Sequence, residues 1–156
     1  IMKLTEDSLT YSRNWDPHTH LRSPAQIGQK PFEELVDLNT RHYAVVIAEP
    51  NVALNADKPH HHIFTADDVS RYQEIVEGAQ TSDNRCRIYY LIKLTDTTKP
   101  EELDKALGLP FVLGVKIYPE GVTTGANHGG VSDFWGAHSR ELCGCRATQE
   151  NCAGTS

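Results

Sequence analysis

Residues 43–51 read YAVVIAEPN, and the reading of this stretch decides the fold. The run from Ala44 to Ala48 is apolar throughout, β-branched at Val45, Val46 and Ile47, and it ends at Pro50. A strand with one wet face alternates apolar and polar residues. An unbroken run marks a strand covered on both faces, as in a parallel sheet flanked by helices. On its N-terminal side, PFEELVDLNTRH (31–42) places Phe32, Leu35, Val36 and Leu38 near one helical face, with Pro31 suited to the first turn. On its C-terminal side, TADDVSRYQEIVEGAQ (65–80) offers Thr65 as an N-cap, Asp67 and Asp68 in the first turn, and Val69, Tyr72, Ile75 and Val76 at helical spacing before Gly78. Next come a strand in CRIYYLIKLTD (86–96), a short helix in KPEELDKALG (99–108) with Pro100 early and Gly108 past its end, and a strand in FVLGVKIYP (111–119). With a first strand ending in DPHTHLR (16–22), strands and helices alternate. That order requires parallel pairing through crossovers, hence an α/β fold, either a doubly wound sheet or part of a barrel.

The polar residues gather at strand ends. In an extended DPHTHLR, His18, His20 and Arg22 project on one side while Thr19 and Leu21 face the other. Two neutral imidazoles suit zinc or a similar borderline metal, and a guanidinium suits a carboxylate or phosphate; the plainer alternative is an exposed polar strand end. Asn51 follows the second strand, Thr95, Asp96 and Thr97 follow the third, and Lys116 lies within the fourth. Open α/β sheets and (β/α)8 barrels both place their sites at the carboxyl ends of strands. No G-x-G-x-x-G or Walker A stretch occurs, so a nucleotide fold would lack its usual phosphate cradle, and the metal reading gains.

Composition narrows the partners. A chain of 156 residues with 38% hydrophobic content suffices for one globular domain. Its net charge of -6, from 21 acidic and 15 basic residues, opposes attraction to nucleic acid or to anionic membrane surfaces. No segment is apolar for long enough to cross a bilayer, and IMKLTEDSLTYSRNW (1–15) has neither a basic nor an apolar signal region, so a cytoplasmic location is expected. Of four cysteines only Cys86 precedes residue 143, which provides no disulfide framework for the main body.

Four blocks, DPHTHLR, EPNVALNADKP, YYLIKLTDTT and GVKIYPEGVTTGANHG, in this order and at these separations, resemble the first half of dihydroorotase, a zinc amidohydrolase of pyrimidine biosynthesis. The resemblance runs from about Asp16 to Val131. It implies a (β/α)8 TIM barrel of which about the first four β/α units are present, with two zinc ions as cofactors. By position it assigns His18 and His20 as metal ligands and Lys116, N6-carboxylated, as the bridging ligand, while Arg22 and Asn51 hold the substrate carboxylate. The implied reaction is the reversible cyclisation of N-carbamoyl-L-aspartate to L-dihydroorotate, by a homodimer when the enzyme is complete. One departure stands out: the family's Met-Pro-Asn is Glu49-Pro50-Asn51 here, which adds charge near the site. The chemistry suits these residue types, since metal binding lowers the pKa of a coordinated water to roughly 7 and a second ion polarises the carbonyl. An ammonium ion is no zinc ligand, whereas a carbamate on Lys116 would offer two oxygens.

Other features carry less. PHHHI (59–63) suits a solvated loop better than a metal tract, for want of spaced partners. His128 falls in a Gly- and Asn-containing loop past the lysine strand, with no ligand role. Asp96 is expected to cap the helix that follows rather than to orient a ligand. Residues 1–134 are expected to form the partial barrel domain and 135–156 an atypical tail, possessing three of the four cysteines and no hydrophobic period. Cys143, Cys145 and Cys152 with His138 do not match a standard zinc spacing, and an out-of-frame or truncated end is expected instead. No general-base aspartate is assignable, so the chain alone is expected to be inactive. The alternative function is a non-catalytic half-barrel that binds metal or a partner.

Overall fold

The computed structural model of the chain describes residues 3–5, 8–10, 15–81, 86–119 and 130–132. The expected tail at 135–156, with His138, Cys143, Cys145 and Cys152, lies outside these residues, as does His128. A short antiparallel pair, β1 (Lys3–Thr5) and β2 (Ser8–Thr10), precedes the main unit. That unit runs β3 (Trp15–Thr19), α1 (Pro24–Ile27), α2 (Gln29–His42), β4 (Val45–Ala48), α3 (Ala66–Ala79), β5 (Arg87–Lys93), α4 (Pro100–Leu107) and β6 (Val112–Lys116). The sheet order is β3-β4-β5-β6 and every pairing is parallel, so chain order and spatial order coincide. An arc of successive parallel strands joined by helices is the opening of a barrel.

All four residues of β4 are buried, as its unbroken apolar run requires. Val46 and Ala48 join Phe32 and Val36 of α2, and Val69, Tyr72 and Val76 of α3, in the larger core cluster. A smaller cluster forms around Ile92, Leu94, Leu103, Ala106 and Val131. Side chains alternate along a strand, so Val45 and Ile47 face away from those helices, and the next residue of that parity is Glu49. Local signals set the helix starts. Thr65 Oγ1 accepts a hydrogen bond from Asp68 N at 3.1 Å and Asp68 Oδ2 accepts one from Thr65 N at 3.0 Å, a reciprocal cap on α3. Pro100 opens α4, and Glu102 Oε1 accepts a bond from Ala66 N at 2.8 Å, which ties α4 to the start of α3.

Three expectations need correction. The buried row of α2 is Phe32, Val36 and Thr40, at i, i+4 and i+8, while Leu38 is 57% exposed. Two residues turn a helix by about 200°, which puts Leu38 opposite Val36. The first strand stops at Thr19 instead of continuing to Arg22, whose φ of 60° is left-handed and ends the extended run. Asp96 caps no helix: Lys99 is the N-cap of α4, and both Asp96 carboxylate oxygens instead accept from Ser132 N at 3.1 Å, which ties the loop after β5 to the segment beyond β6.

Candidate metal centre at the strand ends

The carboxyl ends of β3, β4 and β6 bring four polar side chains into one cluster. The His18 and His20 rings sit 5.2 Å apart, edge to face. Thr19 between them and Leu21 beyond are buried, so the alternation read from DPHTHLR holds through the strand end even though Arg22 departs from it. Lys116 is 98 residues further along the chain, yet its Nζ lies 3.4 Å from His18 Nδ1. Parallel pairing through two intervening strands makes that approach possible.

Glu49 completes the cluster. Its backbone N–H donates to Thr19 O at 2.9 Å, extending the β3–β4 ladder by one residue and aiming the side chain at the strand ends. The side chain is 1% exposed, with Oε1 3.4 Å from His18 Nδ1 and Oε2 3.0 Å from Lys116 Nζ. The latter contact is an ion pair without hydrogen-bond alignment, since Oε2 accepts no well-directed hydrogen bond. The sequence shows Glu49 as a departure in charge; its contact with Lys116 crosses the sheet and has no local signature.

The surroundings of His20 disfavour its charged form. Burial lowers its pKa below the ordinary 6.5, the Arg22 guanidinium, His18 and Lys116 push the same way, and Glu49 opposes them. Its Nδ1 is buried without a hydrogen-bond partner. A neutral imidazole with an unsatisfied buried nitrogen suits a cation. Arg22 is exposed and is felt at His20 as charge. Asn51 is half-buried just after β4 with its Oδ1 unpartnered, and no hydrogen bond or ion pair joins it to His18, His20, Arg22 or Lys116. Among the described residues, no three His, Cys, Asp or Glu side chains already form a group able to hold a metal ion. The cluster consists instead of two imidazoles and one carboxylate that is paired with Lys116.

A second polar cluster was not visible in the sequence. Lys93 ends β5 with its side chain fully buried, its Nζ 3.2 Å from His62 Nδ1 and stacked 5.8 Å from the Phe64 ring centre. Desolvation lowers the Lys93 pKa. The solvated-loop expectation for PHHHI thus holds for His60 and His61, which are exposed, and fails for His62, which is buried. A cavity of about 490 Å³ opens nearby, bounded by Phe64, Thr65, Thr95, Thr98 and Glu102, and none of the five sequence-selected site residues lines it.

Fold and site together define a parallel α/β protein of the TIM-barrel type with a polar cluster at its strand ends. No family model matches the chain. It is 34% identical over 151 residues to the dihydroorotase of Nitrosomonas europaea, covering 96% of this chain and 37% of that protein. It is 31% identical over 127 residues to the dihydroorotase of Allorhizobium ampelinum, covering 81% of this chain and 33% of that protein. A crystal structure of dihydroorotase in complex with 5-fluoroorotic acid from Saccharomyces cerevisiae superposes with a TM-score of 0.58 at 21% identity, covering 75% of this chain and 28% of that one. The chain is a homologue of the dihydroorotases and spans about a third of the length of the curated relatives it matches.

Proposed function

We propose that this chain supplies the first four β/α units of a dihydroorotase-type zinc amidohydrolase, interconverting N-carbamoyl-L-aspartate and L-dihydroorotate in the cytoplasm, as a homodimer when complete. The observation that supports it most is the convergence of His18, His20 and Lys116 at the strand ends, across 98 residues of chain, in a homologue of dihydroorotases. His18 and His20 would hold zinc through their ring nitrogens, and carboxylation of Lys116 would convert its amine into an anionic oxygen donor. Bound zinc would supply an activated water near neutral pH and a Lewis acid for the amide carbonyl. Arg22 offers a planar fork to a substrate carboxylate, and Asn51 presents an unpartnered buried amide oxygen beside the same strand end.

Three residues at the ends of two strands do not make a turnover site, and no general-base aspartate is assigned among the described residues. The 156-residue chain alone is therefore expected to show negligible turnover. Exposure of Trp15 (62%) and Leu113 (52%) on the edge strands β3 and β6 favours a second reading, a half-barrel module whose edges meet a partner. Metal analysis tests the strand-end site that the first reading needs. His18→Ala and His20→Ala are each expected to lose most bound zinc while His61→Ala retains it. Undiminished zinc in His18→Ala, or equal loss in His61→Ala, would remove the strand-end site.

A further inference from the structure

We propose that Lys93 is a modification site for carbon dioxide, taken up as a carbamate on its Nζ with His62 as the base, a site separate from Lys116 and independent of the zinc reading. Lys93 ends β5 with no solvent exposure. The ring centres of Phe64 and Tyr118 lie 5.8 and 5.7 Å from its Nζ, and among the described residues no carboxylate pairs with it. An ammonium ion buried without a counter-ion is costly, so these surroundings favour the uncharged amine, and the lowered Lys93 pKa agrees with them. A desolvated, uncharged lysine amine is a nucleophile. Burial then selects the electrophile. An amine closed off from solvent is shut to bulky or charged reagents, whereas carbon dioxide is small, uncharged and at ease between aromatic rings. The one polar side chain printed beside the amine is a base: His62 Nδ1 lies 3.2 Å from Nζ, and His62 is itself buried. In the step, the Nζ lone pair forms a bond to the carbon of carbon dioxide, one C=O π pair moves onto oxygen, and the proton released from Nζ passes to His62 Nδ1. The product is a carbamate beside an imidazolium, so the buried pair remains neutral overall and needs no further counter-ion.

The test is 13C NMR of the full chain, labelled with 15N at lysine Nζ and held in zinc-free buffer with 13C-bicarbonate and its dissolved carbon dioxide, with circular dichroism to confirm folding. A carbamate joins the two labels, so its carbon is expected as a doublet split by a lysine nitrogen, which sets it apart from any carbamate on the α-amino group. The bicarbonate level is chosen so that the urea-unfolded chain shows no doublet. Folded wild type is expected to show one, Lys93→Met to lose it, and Lys116→Arg, which keeps a cation beside Glu49, to retain it. His62→Gln keeps a polar side chain without the base and is expected to lose most of the signal. Because Lys93→Met can fail to fold, the Lys116→Arg chain provides a second readout in which Lys93 is intact. No doublet in folded wild type, survival of the doublet in Lys93→Met, or its loss in folded Lys116→Arg would overturn the Lys93 assignment, the last by placing the carbamate on Lys116 and leaving the zinc reading untouched. An undiminished doublet in folded His62→Gln would overturn the role of His62.

Discussion

Lys93 and Lys116 are register partners on neighbouring strands, and both flank the ring of Tyr118, at 5.7 and 5.3 Å from its centre. Their surroundings nevertheless differ in kind. Lys116 has a buried carboxylate at 3.0 Å and keeps 22% of its side chain exposed. Lys93 has no exposure, and among the described residues no carboxylate pairs with it; its neighbours are His62 and two aromatic faces. One amine is held by charge. The other is held by shape, at a cost in desolvation that lowers its pKa. The same step of the sheet can thus carry an ion-paired lysine or a desolvated core lysine, and Glu49, just past β4, makes the difference.

The sharpest way to break this contrast is to replace each lysine with methionine and measure urea unfolding. Lys116→Met leaves Glu49 buried and unpaired, and a loss of about 3 kcal/mol is expected, at the lower end for a broken buried pair because Lys116 retains some exposure. Lys93→Met replaces a desolvated amine by an apolar side chain of similar length, so stability is expected to stay level or rise by about 1 kcal/mol. Equal losses in both would show that the contrast is false. A smaller effect lies in pH. The folded-state pKa of Lys93 is lowered, so above it the unfolded chain binds more protons than the folded one, and stability is expected to rise with pH until the ordinary value of 10.5 is reached. Lys93→Met should abolish that rise. His20 acts at the other end of the scale: its lowered pKa means that the unfolded chain takes up a proton first as pH falls through 6.5, so stability is expected to drop there and His20→Asn to flatten the drop. The smallest effect is local and lies outside the comparison: Thr65→Ala removes half of the reciprocal cap on α3 and is expected to lower stability by about 1 kcal/mol while leaving zinc content unchanged.

The elements were legible where local chemistry sets them. The apolar run of β4, the Thr65 and Asp68 pair, and Pro100 before Glu101 and Glu102 each mark an element within a few residues. His18 and His20 were legible as a pair because strand alternation is local. The nature of the cluster was not, because Glu49 meets Lys116 only once two crossovers have folded. Lys93 was hidden for another reason. A single lysine in IYYLIKL reads as the polar end of a strand, and its burial depends on His62 and Phe64 from the loop before α3 and on Tyr118 from beyond β6. Arg22 escaped because nothing in LRSP marks a left-handed turn; glycine or asparagine would have.

The most direct test joins residues 16–131 to the remainder of a full-length relative, in place of the matching third of the Nitrosomonas europaea dihydroorotase, and measures zinc content and interconversion of N-carbamoyl-L-aspartate and L-dihydroorotate. The expected result is a zinc-loaded chimera with turnover in both directions, abolished by His18→Ala. A folded, zinc-loaded chimera without turnover, or turnover that His18→Ala leaves intact, would contradict the assignment of this chain as the metal-bearing first part of a dihydroorotase.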